Sequence, residues 1–273
     1  MKIPFSLIGA IGSIALLPLG GIVDCSGKGK GEPHSAVADV SPVHCLPRIV
    51  RTLPHDTAAF TQGLVFSGGK LYESTGLYHQ SSIRVLDTGG IILINRPLIG
   101  SVFAEGCAVL SNNLYQLTWR NRQCFVYSLP GLVCVDTLSY TGEGWGLTAD
   151  GTHLIMSNGT DTLYYRDRRF TIVVKTPVVS SGKPLDNINE LEFARNRIYA
   201  NVWYSDYIFE IDPKNGVVKR IIDCSEIVSR EAPASEEYVL NGIAYNPENG
   251  LFFLTGKKWK NVFVVEIPAA KNP

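Results

Sequence analysis

From residue 61 onward the chain repeats itself. A polar or aromatic residue, usually followed by glycine and then by an apolar run, opens TQGLVF at Thr61, AEGCAV at Ala104, GWGLTA at Gly144, NELEFA at Asn189 and LNGIAY at Leu240. The anchor residues of these copies, Gln62, Glu105, Trp145, Glu190 and Asn241, are 43, 40, 45 and 51 positions apart. Between them lie short β-branched and aromatic runs, cut by turns such as Ser67-Gly68-Gly69, Ala149-Asp150-Gly151 and Pro247-Glu248-Asn249-Gly250. A period of roughly 40–50 residues with three or four strands per copy is the pattern of propeller blades. The sequence therefore predicts an all-β chain, a five-bladed β-propeller over 47–268. The orphan strand Arg48–Thr52 precedes the first copy, and pairing it with the last strand closes the ring and removes two sheet edges. The longer gap from Ile221 to Val239 admits a short helix near Asp223–Val228, a lid-like loop or a plain connection.

The N-terminal part has a different composition. Lys2 is followed by an apolar stretch to Val23, broken by Pro4, Pro18, Gly20 and Gly21. Residues 1–24 read as an export signal rather than a membrane span. Cys25 follows at once, as the lipid-bearing cysteine does in bacterial lipoproteins, although Asp24 stands where such a signal needs a small residue. A lipid anchor at Cys25 thus stays open. Residues 25–46 read as a flexible tether and 269–273 as a tail. This order places the folded part in the periplasm or outside the cell, where disulfides persist. The six cysteines show no C-x-x-C spacing, and their pairing is not legible. Equal counts of 25 acidic and 25 basic residues give no handle for nucleic acid or an anionic membrane.

In a ring of blades, equivalent positions lie on a circle about the axis, so the anchors converge on one mouth of the channel. A second column comes about fourteen residues later, at the end of the next strand: Gly76, Trp119, Gly159, Trp203 and Lys257. Phe60 and Phe103 each stand two before an anchor, and strand alternation aims them the same way. The mouth is expected to be an aromatic-walled cup with a few polar groups and one lysine, the make-up of a small-ligand site. A purely structural ring would repeat apolar residues in these columns, and the chain does not. The five histidines lack ligand spacing, no G-x-S-x-G elbow or phosphate-binding glycine loop occurs, and Asp87, Asp167 and Asp212 read as turn formers rather than metal ligands.

On these residues the chain resembles the glutaminyl-peptide cyclotransferases of the plant and bacterial type. The motifs are F-T-Q-G-L from Phe60, E-S-T-G-L-Y from Glu73 with S-S-I-R from Ser81, F-A-E-G from Phe103, G-W-G-L from Gly144, N-E-L-E from Asn189 with N-V-W from Asn201, L-N-G-I-A from Leu240 and T-G-K-x-W from Thr255. Each is weak alone, but their order and spacing across all five blades are specific. Ala104, where glycine is expected, and His79-Gln80 are the departures.

The resemblance implies a transferase that turns the N-terminal Gln of peptides or proteins into pyroglutamate, with no cofactor and no metal. It implies Glu105 as general acid/base, and Phe60, Gln62, Phe103, Trp119, Trp145, Asn189, Trp203 and Lys257 as the substrate pocket. Lys257, Gln62, Asn189 or an indole N–H would donate to the developing oxyanion. Two other readings remain at this stage. One is a propeller glycosidase using Glu105 and Glu190 as paired carboxylates; the other is a non-catalytic propeller that binds ligand through its tryptophans.

Overall fold

Each repeated segment forms the innermost strand of one blade. The computed structural model describes residues 41–269. After β1 (Val43–Cys45) and β2 (Arg48–Pro54), blade 1 holds β3 (Thr61–Ser67), β4 (Lys70–Thr75), β5 (Ser82–Leu86) and β6 (Ile92–Pro97). Blade 2 holds β7 (Ala104–Leu110), β8 (Asn113–Thr118), β9 (Gln123–Ser128) and β10 (Val133–Ser139). Blade 3 holds β11 (Leu147–Ala149), β12 (Leu154–Met156), β13 (Thr162–Arg166) and β14 (Ile172–Pro177), followed by the small hairpin β15 (Val179–Ser180) and β16 (Lys183–Pro184). Blade 4 holds β17 (Ile188–Ala194), β18 (Arg197–Val202), β19 (Tyr207–Ile211) and β20 (Val218–Asp223). The gap before the last copy contains the helix α1 (Ser225–Glu231), and blade 5 holds β21 (Leu240–Asn246), β22 (Leu251–Gly256) and β23 (Asn261–Glu266).

The fourth strand of blade 5 is β2, which pairs antiparallel with β23 from Arg48↔Glu266 to Pro54↔Asn261. The ring is therefore closed by strands from opposite ends of the chain, as the orphan strand implied. β1 adds to the outer edge of blade 4, parallel to β20. Val43–Cys45 is thus strand rather than tether, because the open edge of β20 offers unpaired backbone groups. The export signal, the tether up to residue 40 and the tail from residue 270 lie outside the described residues.

The core divides into five buried apolar clusters, and each lies between two neighbouring blades. Leu64, Leu71 and Phe253 join blades 1 and 5, for example, and Val65, Ile83 and Leu114 join blades 1 and 2. The sheets pack face to face around the ring, so no single central core is needed. The five described cysteines are free. Burial pushes the thiols of Cys107, Cys124 and Cys224 up, which makes them inert packing groups.

At the axis the inner strands approach more closely than side chains allow. A Cβ on Gly63 would stand 2.5 Å from the Cys107 nitrogen, one on Gly106 2.5 Å from the Leu147 nitrogen, and one on Gly146 1.9 Å from the Asn189 carbonyl oxygen. The strand registers pair Leu64 with Glu73, Cys107 with Gln116, Leu147 with Met156, Leu191 with Ala200 and Ile243 with Leu254. These pairs put Leu191 in phase with the residue after each glycine. In blade 4 the anchor is therefore Asn189, one position earlier than the sequence alignment placed it. Glu190 instead takes the place that Gly63, Gly106, Gly146 and Gly242 occupy in the other blades. Its carboxylate lies on the axis, where it accepts N–H bonds from Leu64 (3.2 Å) and Ile243 (2.9 Å).

The closing seam carries a buried charged cluster. His55, just after β2, bonds the Trp259 carbonyl through Nδ1 and the Glu73 carboxylate through Nε2, both at 2.8 Å. A carbonyl and a carboxylate can only accept, so this setting favours the doubly protonated imidazolium form of His55. Burial works against that charge, but Glu73 and the Trp259 carbonyl outweigh it and raise the pKa. Burial would raise Glu73, yet His55, Arg84 and the Thr61 hydroxyl (2.7 Å) hold it low. His55 contributes stability that is complete below its ordinary value of 6.5 and is lost as pH rises through its raised folded value. Glu73 contributes stability present above 4.5 and lost as pH falls through its lowered value. Thermal melts should therefore show the ring most stable between these limits, and His55→Gln should flatten the alkaline decline. His55→Ala, which strands Glu73, is expected to cost about 3–5 kcal/mol in denaturant unfolding. An unchanged midpoint would show that the seam does not hold the ring.

Candidate active site

The structure brings Phe60, Gln62, Phe103, Glu105, Trp119, Trp145, Asn189, Trp203 and Lys257 together around one cavity at the channel mouth. These are the nine residues that the family resemblance implied; the anchor column read from the repeat had Glu190 where Asn189 stands. The cavity has a volume of about 200 Å³ and opens to solvent at the mouth. Gln62 and Glu105 come from the starts of β3 and β7, and Asn189 from β17. Trp119, Trp203 and Lys257 follow directly on β8, β18 and β22, and Trp145 stands just ahead of β11. Propeller geometry makes these points a circle, so residues far apart in sequence meet without a long loop.

The walls are aromatic and braced edge to face. Phe103 meets Phe60 at 6.3 Å between ring centres, Tyr78 at 5.5 Å and Trp119 at 5.7 Å. On the other side Trp145 meets Trp203 at 5.7 Å, and the exposed Tyr204 stacks on Trp203 at 4.7 Å. The glycines of the second column are seats for these rings. A Cβ on Gly76 would stand 2.6 Å from the Phe103 ring, and one on Gly159 2.7 Å from the Trp145 ring. Where a blade's own position is glycine, an aromatic ring from another position fills the space. Trp259, by contrast, is fully buried, donates to the Tyr238 carbonyl at 2.6 Å and belongs to the core.

Glu105 is the buried carboxyl of this cup. Burial pushes its pKa well above the ordinary carboxylate range; the Lys257 ammonium opposes this, the Glu143 charge adds to it, and Gln62 hydrogen-bonding opposes it. Burial likewise lowers Lys257, against the pull of Glu105. The Lys257 Nζ lies 5.0 Å from the centre of the Phe60 ring. Its turn is pinned from several sides. The Lys257 N–H donates to Val239, the Lys258 N–H to Ala59, and Glu231 of α1 accepts from the Lys260 N–H (2.7 Å) and the Asn261 amide (2.8 Å). The Ser157 hydroxyl accepts from the Gly146 N–H at 2.7 Å and donates to the Asn189 carbonyl at 2.6 Å, which ties Trp145 to Asn189. The Asn189 side-chain oxygen is buried and has no hydrogen-bond partner among the described residues.

Glu190 does not face the cup. Both its oxygens serve backbone N–H groups, burial holds its pKa well above the usual range, and it lines neither the cup nor the cavity at the opposite end of the channel. The paired-carboxylate arrangement with Glu105 is therefore absent, because the second acid is spent on the axis. Glu192, pushed up to about 8 by burial, lines that opposite cavity and accepts from the Tyr245 N–H at 2.8 Å. Among the described residues no His, Cys, Asp and Glu side chains group as metal ligands.

Sequence reasoning missed Glu143. It stands two before Trp145, the offset that led to Phe60 and Phe103, but the expectation of aromatic residues stopped that column after two blades. Its carboxylate accepts the indole N–H of both Trp119 (2.8 Å) and Trp145 (3.1 Å). Those two indoles are consequently not free to donate into the cup.

A model of the glutamine cyclotransferase family matches residues 25–267. The chain is 37% identical over 230 residues to the glutaminyl-peptide cyclotransferase of Arabidopsis thaliana, covering 81% of this chain and 71% of that protein. It is also similar to the crystal structure of the Myxococcus xanthus glutaminyl cyclase, at 39% identity and a TM-score of 0.79, over 85% of this chain and all (100%) of that one.

Gly159 sits at a φ of +81°, with the Trp145 ring against it. Gly159→Ala is expected to lose about 1–2 kcal/mol of stability in denaturant unfolding. The indole near-UV circular dichroism should change with it, because Trp145 has to leave its seat. An unchanged indole signal would show that the ring does not depend on this glycine.

Proposed function

The chain belongs to the glutamine cyclotransferase family, and on that premise we propose that it converts the N-terminal glutamine of peptides or proteins into pyroglutamate with release of ammonia. The observation that carries this reading is a single buried carboxyl with a raised pKa in a small aromatic cup open at one end. The reaction is intramolecular. The free α-amine attacks the side-chain amide carbon, the new N–C bond closes a five-membered ring, and the old C–N bond breaks to release ammonia. Both reacting groups belong to one residue, so the protein's task is to hold a folded conformer and to move protons.

Glu105 takes a proton from the attacking amine and returns one to the departing nitrogen. A carboxyl whose pKa is raised toward the working pH is suited to both halves of that transfer. Lys257 is the cationic group lining the cup and donates to the oxygen that becomes negative during attack. Trp119 and Trp145 do not take that role, since Glu143 holds their N–H groups. The buried, unpartnered oxygen of Asn189 accepts an N–H of the bound glutamine; leaving it empty is costly, so binding relieves it. The aromatic walls exclude water and pack the methylenes of the side chain. The peptide tail leaves through the open mouth, beside the exposed Trp203 and Tyr204.

Export belongs to the same reading. The apolar run up to Val23 supports a location in the periplasm or outside the cell, with Cys25 as the residue that a lipid would occupy. The mature protein should lack the first 24 residues or so, which the mass of its N-terminal peptide checks directly; a retained Met1 sinks the idea of a cleaved signal.

Incubation with a Gln-initiated peptide should yield a product lighter by one ammonia. Glu105→Gln should fold normally and lose about 10²–10⁴-fold in kcat. Near-normal turnover by that variant would remove Glu105 from the chemistry.

A further inference from the structure

Beyond the nine cup residues, one charged cluster touches the site from outside. Glu143 lies in the connection between β10 and β11, half-exposed at the rim. One of its oxygens, Oε2, accepts both indole N–H groups, from Trp119 at 2.8 Å and Trp145 at 3.1 Å. The other, Oε1, accepts from Arg120 Nε at 3.0 Å. The Arg120 guanidinium in turn lies 3.8 Å from the centre of the Trp119 ring and covers it. Trp119 ends the second strand of blade 2, and Trp145 opens blade 3. A single carboxylate oxygen thus joins the walls of two blades, and the adjacent backbone bond from Gly144 N–H to the Trp119 carbonyl (3.2 Å) fixes the distance it spans.

We propose that Glu143 is a positioning residue of this active site: its carboxylate sets the planes of Trp119 and Trp145, and its charge acts on Glu105. The proposal rests on the cyclotransferase reading for its kinetic consequences, but not for its geometric one. An indole can rotate about two side-chain bonds, and edge-to-face contacts alone leave several orientations of similar energy. A charge-assisted bond to each N–H selects one. Hydrogen bonds from Trp145, Trp119 and Arg120 outweigh the cost of burial and hold Glu143 ionised, so the selection persists across the working pH range. The same negative charge, next to the cup, makes Glu105 harder to ionise. The charged groups that bear on Glu105 are then Lys257, in turn influenced by Glu237, and Glu143, capped by Arg120.

The geometry separates the two roles. Glu143→Gln can keep its remaining oxygen on both indoles, while its amide nitrogen, a donor facing the donor Arg120, gives up that bond, so it removes the charge and the Arg120 bond but spares the indole bonds. Glu143→Ala removes all of these. Three measurements on the full chain read the difference. Indole N–H resonances of Trp119 and Trp145, in ¹⁵N-labelled protein without substrate, should move strongly in Glu143→Ala and little in Glu143→Gln. With a Gln-initiated peptide, KM should rise on the order of tenfold in Glu143→Ala, the loss of well-oriented aromatic contact, and stay near the wild-type value in Glu143→Gln. The acid limb of the kcat/KM profile should shift to lower pH in both variants, since each frees Glu105 from a like charge while the substrate's own titration is unchanged. Unmoved indole resonances with KM within twofold in Glu143→Ala would overturn the positioning role. A stationary acid limb in both variants would overturn the electrostatic one. A wild-type chain that does not cyclise the peptide would sink the reaction assignment, and the indole resonances would still decide whether Glu143 orients the walls.

Discussion

Five inner strands have to meet around one axis, and there is no room there for their side chains. Everything else in the molecule follows from how that crowding is resolved. Gly63, Gly106 and Gly146 let backbone approach backbone to distances that a Cβ would block. The vacated centre is occupied by the one residue in that position that has a side chain, Glu190. A carboxyl in so dry a place is tolerated because two backbone N–H groups, from Leu64 and Ile243, point at it. It thereby links blades 1, 4 and 5. The cup and the cavity at the opposite end of the channel share no lining residue.

With the axis settled, the anchor residues one position earlier are aimed at the mouth, and their chemistry is free to differ from blade to blade. Gln62, Glu105, Trp145 and Asn189 line the cup. Asn241 occupies the equivalent place in blade 5 but spends its amide on the Thr61 carbonyl (3.0 Å). The fold demands only that something stand at each anchor. The cup as a whole holds one carboxyl, one lysine, two amides and a wall of rings. The same apolar surroundings shift the carboxyl and the lysine each toward its neutral form. The polar groups not needed for chemistry are tied off, Glu143 by three donors and Ser157 by Gly146 and Asn189.

The blades, their number and their closure were legible because a propeller writes its period directly into the sequence. The cup residues were legible through phase, and Asn189 through family motifs. Three features were not. The assignment of Glu190 to the anchor column failed because register shifts interrupt the start of each long inner strand, as between Ile188 and Leu191 in β17, so simple alternation does not hold there. Leu191 in phase with Leu64, Cys107 and Leu147 was the signal that would have corrected it. Glu143 was overlooked although it shares the offset of Phe60 and Phe103, since a carboxylate on an aromatic wall makes sense only once the two indole nitrogens are seen to converge. The strand Val43–Cys45 had no period to announce it; it exists because β20 leaves an edge open.

The seam has a consequence for how the molecule comes apart. Every junction between neighbouring blades is crossed by continuous chain, the one from blade 5 to blade 1 through β2, and the ring is closed non-covalently within blade 5, where β2 pairs with β23. His55 reaches across that joint to the Trp259 carbonyl, two residues from Lys257, and its backbone N–H donates to the Lys260 carbonyl at 2.9 Å. The clasp of the ring and the seat of Lys257 are therefore one structure. Loosening the clasp would disturb the turn that carries Lys257 directly. Catalysis would then act as a gauge of closure.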